Sequence, residues 1–143
     1  MTSSVFPDIN VWLALVFDQH RHNEEAVRWY DALDPFTILA FCRHTQLGLF
    51  RLLSTKTVMD QYALSLRQCW QVYDDWIDTG QAIVLPEPGW IEQELRARIS
   101  QSMIAPKLWA DAYLAAFAEA ANLTLVTFDR ALAGKVKGAV LLG

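Results

Sequence analysis

Short apolar runs alternate with helix-length amphipathic segments along almost the whole chain, and this alternation limits the possible folds more than any other feature. Residues 37–41 (TILAF), 82–85 (AIVL) and 123–128 (LTLVTF) are nearly continuous in apolar and β-branched side chains. Such runs suit strands covered on both faces, the condition of a parallel sheet flanked by helices. Residues 4–6 read as a very short strand stopped at Pro7-Asp8, because proline removes a ladder donor, and residues 140–142 add a last strand.

Between these runs the period lengthens to that of a helix. From Asn10, Val11, Trp12, Leu15 and Val16 recur at spacings of three and four, until a polar break at residues 18–23. A second helix carries Ala26, Val27, Trp29, Tyr30 and Leu33 on its apolar side and ends at Asp34-Pro35. Residues 42–54 predict a helix with Leu47, Phe50, Leu52 and Leu53 inward, residues 56–61 a connection, and residues 62–79 a long amphipathic helix closed by Gly80. Further helices are expected at residues 90–100 and 108–122, with a helical turn at 130–135. Strands alternating with helices argue for an α/β fold, a mostly parallel central sheet with helices on both sides. The 143 residues suit one domain spanning 1–143, and a composition 53% hydrophobic excludes disorder.

The net charge of −4 does not point to a nucleic-acid binder with a broad basic face, although a local basic patch drawn from Arg43, His44, Lys56, Lys107, Lys135 and Lys137 remains open. Cys42 and Cys69 sit in no metal-ligand or redox spacing and read as buried thiols of a reducing cytosol. The start, MTSSVFPDIN, has no basic flank or long apolar stretch, and no uncharged apolar run reaches the roughly 20 residues of a membrane span. A cytoplasmic protein without membrane attachment is the expectation. His20 and His22 stand two apart, which does not put them on one helical face. No nucleophilic triad, P-loop or dinucleotide fingerprint is present.

The acids are more informative. In an open parallel sheet, ligands bind outside the carboxyl ends of the strands. Asp8 follows the first strand and Asp129 follows the strand at 123–128; Asp111 lies in the first turns of the helix that returns to that strand, and Gln46 in an early turn of the helix after 37–41. Topology thus brings Asp8, Gln46, Asp111 and Asp129 to one rim. Carboxylates gathered there repel one another unless a cation lies between them, and oxygen donors without His or Cys favour Mg²⁺ or Mn²⁺. That is the chemistry of metal-dependent phosphodiester hydrolysis. Each acid also has a plain structural use: Asp111 beside a helix N-terminus, and Asp8 and Asp129 as N-caps. Arg51 and Arg130 stand near the same rim, suited either to phosphate or to an ion pair.

Four stretches, FPDINVWLAL, FCRHTQLGLFRLLS, KLWADAYLAAFA and LVTFDRALA, come in the order and at the separations of the PIN-domain ribonucleases, and the chain most resembles the VapC toxins of VapBC toxin–antitoxin pairs. The resemblance spans nearly the whole chain. It implies a three-layer α/β/α fold, a Mg²⁺ (or Mn²⁺) site and endonucleolytic cleavage of RNA. Asp8, Asp111 and Asp129 match the family's metal-site acids, and Asn10 and Thr127 match polar positions that order the site. The resemblance also implies a VapB-like antitoxin whose C-terminal part blocks the site, and a homodimer. Gln46 stands where many PIN domains carry Glu; a neutral amide removes one charge and predicts weaker metal binding. Two rival functions follow: a degenerate PIN domain that binds RNA or protein without cutting, and a magnesium phosphohydrolase of small esters.

Overall fold

A computed structural model describes residues 3–143; Met1 and Thr2, part of the stretch read for a leader, lie outside the described residues. Among the described residues five strands form one sheet: β1 (Ser4–Pro7), β2 (Ile38–Phe41), β3 (Ala82–Val84), β4 (Thr124–Thr127) and β5 (Val140–Leu141), in the order β3-β2-β1-β4-β5. Every pairing is parallel. The helices are α1 (Ile9–Val16), α2 (Asn23–Asp31), α3 (Arg43–Leu53), α4 (Lys56–Met59), α5 (Leu66–Asp78), α6 (Ile91–Arg98), α7 (Leu108–Ala120) and α8 (Arg130–Ala133).

Alternate strand residues feed two cores, as the two-residue period of a strand requires. Val5, Leu39, Phe41 and Val126 face one side with Trp12, Leu49 and Tyr73 from α1, α3 and α5. Phe6, Ala40 and Leu125 face the other with Leu114, Phe117 and Leu132 from α7 and α8. The result is the expected three-layer α/β/α arrangement. On the first side the indole of Trp12 stacks on Phe41 with ring centroids 3.9 Å apart. On the second, the alanine-rich middle of α7 lets the helix lie close to the sheet, and Phe117 stacks on Phe6.

Several boundaries differ from the sequence pattern. Pro7 belongs to β1 rather than ending it: β1 pairs β2 only at Ser4 and Val5, so Pro7 lies past the last rung on that side and the missing donor costs no β2 bond. Residues 56–61 are not a plain connection but the single turn α4 and a 3-10 turn over Asp60–Tyr62, anchored by the buried Met59. The helix expected from residue 62 starts at Leu66, because Ser65 caps it: Ser65 Oγ accepts from the Gln68 N–H while Gln68 Oε1 accepts from the Ser65 N–H. Leu47 is 55% exposed, not inward. The inner face of α3 is instead Thr45, Gln46, Leu49 and Leu53, with Gly48 meeting α1 so closely that an added Cβ would lie 2.3 Å from the Ile9 tip. At the end of α7, Asn122 takes a left-handed conformation (φ 55°) that turns the chain back into β4.

The chain fills the sheet outward from β1, first to β2 and β3 and then, on the other side, to β4 and β5. The order therefore reverses between β1 and β4, and the carboxyl ends of these two strands form the crevice in which such sheets bind ligands.

Candidate active site

Asp8 and Asp129 stand on either side of that crevice. Asp8 leaves β1 in an extended conformation and caps α1, its Oδ1 accepting from the Ile9 N–H at 2.7 Å. Its other oxygen, Oδ2, accepts a hydrogen bond from the Thr127 hydroxyl at 3.0 Å, and the residue is only 9% exposed. Thr127 is fully buried at the end of β4, and the same hydroxyl accepts from the Asp129 N–H at 3.0 Å. One oxygen thus joins the tail of β1 to the tail of β4. Asp129 is exposed and caps α8, its Oδ1 accepting from Ala131 N at 2.9 Å and Leu132 N at 3.2 Å. Asp111 is half-buried in the first turn of α7.

Asp8 and Asp111 both feel the charge of Asp129. Burial pushes the Asp8 pKa up; the Thr127 and Ile9 hydrogen bonds oppose that shift, and the charges of Asp111 and Asp129 add to it. Asp111 is likewise raised, by burial first and then by Asp129, with Lys135 pulling it down. A nearby like charge disfavours the ionised carboxyl, and a cation among the acids would reverse that effect.

The remaining expected residues divide. Thr127 joins the cluster directly. Gln46 is buried, and its carbonyl oxygen accepts from Arg43 Nη1 at 2.6 Å; no hydrogen bond joins it to the three acids among the described residues. Asn10 is exposed on the first turn of α1. Arg51 and Arg130 are exposed, and neither forms an ion pair among the described residues. His20 and His22 serve a turn, the His22 N–H donating to His20 Nδ1 while the His22 ring stacks on Phe128. Both cysteines are free and buried.

Two rim residues carry no motif of their own. His44 feels the charges of Asp8 and Arg51, and burial lowers its pKa. Its ring meets the edge of Tyr113, whose hydroxyl donates to Glu87 Oε1 at 2.8 Å. Their sequence signal was helical position: His44 lies in the first turn after β2, and Tyr113 two residues after Asp111.

Oxygen donors of formal charge −3 at the end of a sheet, with no sulfur ligand among them, fit a hard divalent cation. Among the described residues no three His, Cys, Asp or Glu side chains close into a tight cage. That is compatible with Mg²⁺, which keeps several waters and takes one or two carboxylates directly. The roomier clefts, about 570 and 600 Å³, open near Thr37 and Gln81 and along α2, away from these acids.

The family model described as PIN domain matches residues 5–137. Ribonuclease VapC41 of Mycobacterium tuberculosis is 38% identical over 128 residues, covering 87% of this chain and 88% of the relative. Among solved structures, Mycobacterium tuberculosis VapC20, a Sarcin-Ricin loop cleaving toxin, superposes with a TM-score of 0.63 at 15% identity, covering 91% of this chain and 93% of that one. VapBC2 from Rickettsia felis, bound to a DNA fragment from their promoter, gives a TM-score of 0.63 at 13% identity and 96% coverage of both chains. At these identities the two structures speak to the fold.

Proposed function

We propose, since the chain belongs to the PIN-domain family, that it is a VapC-type endoribonuclease, the toxin of a toxin–antitoxin pair, and that it cuts RNA at the Asp8–Asp111–Asp129 rim. The observation that carries the assignment is the meeting of three carboxyls from three separate elements at the switch in strand order, two of them shifted partly by their neighbours.

In this reading Asp8, Asp111 and Asp129 hold Mg²⁺ or Mn²⁺. Such an ion, when bound, supplies Lewis acidity toward a phosphodiester and its attacking water. The chain's own groups prepare that place. Thr127 fixes the outer oxygen of Asp8, and the N–H groups of Ile9, Ala131 and Leu132 hold the inner oxygens of Asp8 and Asp129, so the acids lose little freedom when an ion or substrate arrives. Arg51 and Arg130, exposed and in no ion pair among the described residues, are available to RNA phosphates, for which the guanidinium fork is suited. Gln46 acts through Arg43, which it orients, and not as a ligand. The partner is a VapB-like antitoxin, and the protein acts in the cytoplasm as a homodimer.

Mn²⁺ titration by calorimetry tests the ligand assignment. Asp8→Asn and Asp111→Asn should each weaken binding at least tenfold, while Gln46→Glu, whose new carboxylate lies against Arg43, should leave it within about threefold. A large gain in affinity for Gln46→Glu would return residue 46 to the metal shell. RNA binding that needs no cation, with no cleavage, would favour the degenerate-domain alternative, which Gln46 and the acidic pI motivate.

A further inference from the structure

A groove runs along the junction of α6 and α7. Its inner end is a cavity of about 210 Å³ lined by Arg98, Gln101, Leu108, Ala112 and Lys135. Ala112 follows Asp111 on α7, and Lys135 lies two residues beyond α8, the helix that Asp129 caps. The next cavity outward, about 340 Å³, shares Ile99, Gln101 and Leu108 with the first and runs on to Met103, Ile104 and Trp109. The polar side chains of the inner cavity are two cations and an amide, with no acid among them. Arg98 is held by Glu119 and by the Lys135 carbonyl, and its Nε is buried without a partner. The outer cavity is apolar and aromatic, with Trp109 66% and Ile104 98% exposed.

Cation at one end and an open indole at the other is the combination by which single strands are bound: backbone phosphate to a basic group, base onto an aromatic face. Exposed side chains of this size and number call for an occupant. We propose that this groove binds the single-stranded RNA next to the scissile bond, with a backbone phosphate at Lys135 and Gln101 and an adjoining base stacked on Trp109. The inference rests on the nuclease reading and names the strand-binding part of that site. The sequence places Lys135 in a general basic patch; the structure puts Lys135 and Trp109 on adjoining cavities that share Ile99, Gln101 and Leu108. An acidic protein segment is the less favoured occupant, because no cation lines the outer cavity to receive it.

Fluorescence anisotropy with a short, mixed-sequence, 3′-labelled single-stranded RNA tests this, in an Asp8→Asn background so that the probe stays intact. Trp109→Ala should weaken binding roughly five- to a hundredfold, the range of one base–aromatic stack. Lys135→Gln should weaken it too and lower the slope of log affinity against log salt by about 0.7, one phosphate of a single strand; Trp109→Ala should leave that slope unchanged. Trp70→Ala, at another exposed tryptophan on α5, is the control and should bind as the parent does. Unchanged binding in Trp109→Ala and Lys135→Gln, with Asp8-dependent RNA cleavage intact in the parent enzyme, would overturn the groove and leave the nuclease reading standing. Loss of antitoxin binding in those variants, with RNA binding kept, would assign the groove to a protein and also overturn the proposal. A parent protein that neither binds nor cuts RNA would remove the nuclease reading and this inference together.

Discussion

The Thr127 hydroxyl is the smallest group on which the site's geometry depends. It donates to Asp8 and accepts from Asp129 N–H, so Thr127→Val leaves a buried carboxylate without its donor and an N–H without its acceptor. The expected loss is about 1–3 kcal/mol in urea denaturation. Removing the bond that opposes burial also raises the Asp8 pKa further, and the acidic limb of the cleavage profile should move to higher pH. Asp8 itself offers the converse test. Its folded pKa is raised above the unfolded value, so its contribution to stability is full below the ordinary carboxylate range and is lost as pH rises through the folded pKa. Asp8→Asn keeps a cap acceptor but removes the desolvated charge. In metal-free buffer it should therefore raise Tm at neutral pH, and the gap should narrow as pH falls through the carboxylate range. The three acids were legible in the sequence because each follows a strand or opens a helix. Gln46 shared that signal, yet its carbonyl turns to Arg43: helical position gives the edge a residue sits on and leaves its side-chain partner open.

Elements were legible where period and caps agree. The capping box of Ser65 and Gln68 overrode an apolar pattern that began at Tyr62, and Ser65→Ala should cost about 1 kcal/mol, read as a lower urea midpoint at unchanged slope. On α3, Leu47, Leu49, Leu52 and Leu53 offer more than one apolar stripe, so the pattern alone does not tell that Leu47 faces out. The choice was made by Gly48, which admits Ile9 and brings α1 against α3. That contact needs both helices, so one helix's sequence does not contain it. α4 escaped because a single turn has too few residues to display a period.

At the scale of the whole molecule, the sheet order is what gathers the scattered acids at one rim. β1 lies at the centre with β2 on one side and β4 on the other, so the crevice between their ends collects Asp8 and Thr127 from paired strands, Asp129 from the turn beyond β4 and Asp111 from the helix before it. A parallel sheet and one rim were readable from alternation alone; the position of the reversal was not, since strand order is set by crossovers between elements far apart in the chain. Membership of the PIN-domain family agrees with that order and with the rim it creates. The measurement that bears most directly on the rim is RNA cleavage by the purified protein with Mg²⁺ or Mn²⁺, with chelator, and with Asp111→Asn. Discrete fragments that disappear both with chelator and in the variant are the predicted result. Cleavage that persists in chelator, or is undiminished in Asp111→Asn, would contradict a metal-dependent nuclease site built on these three acids.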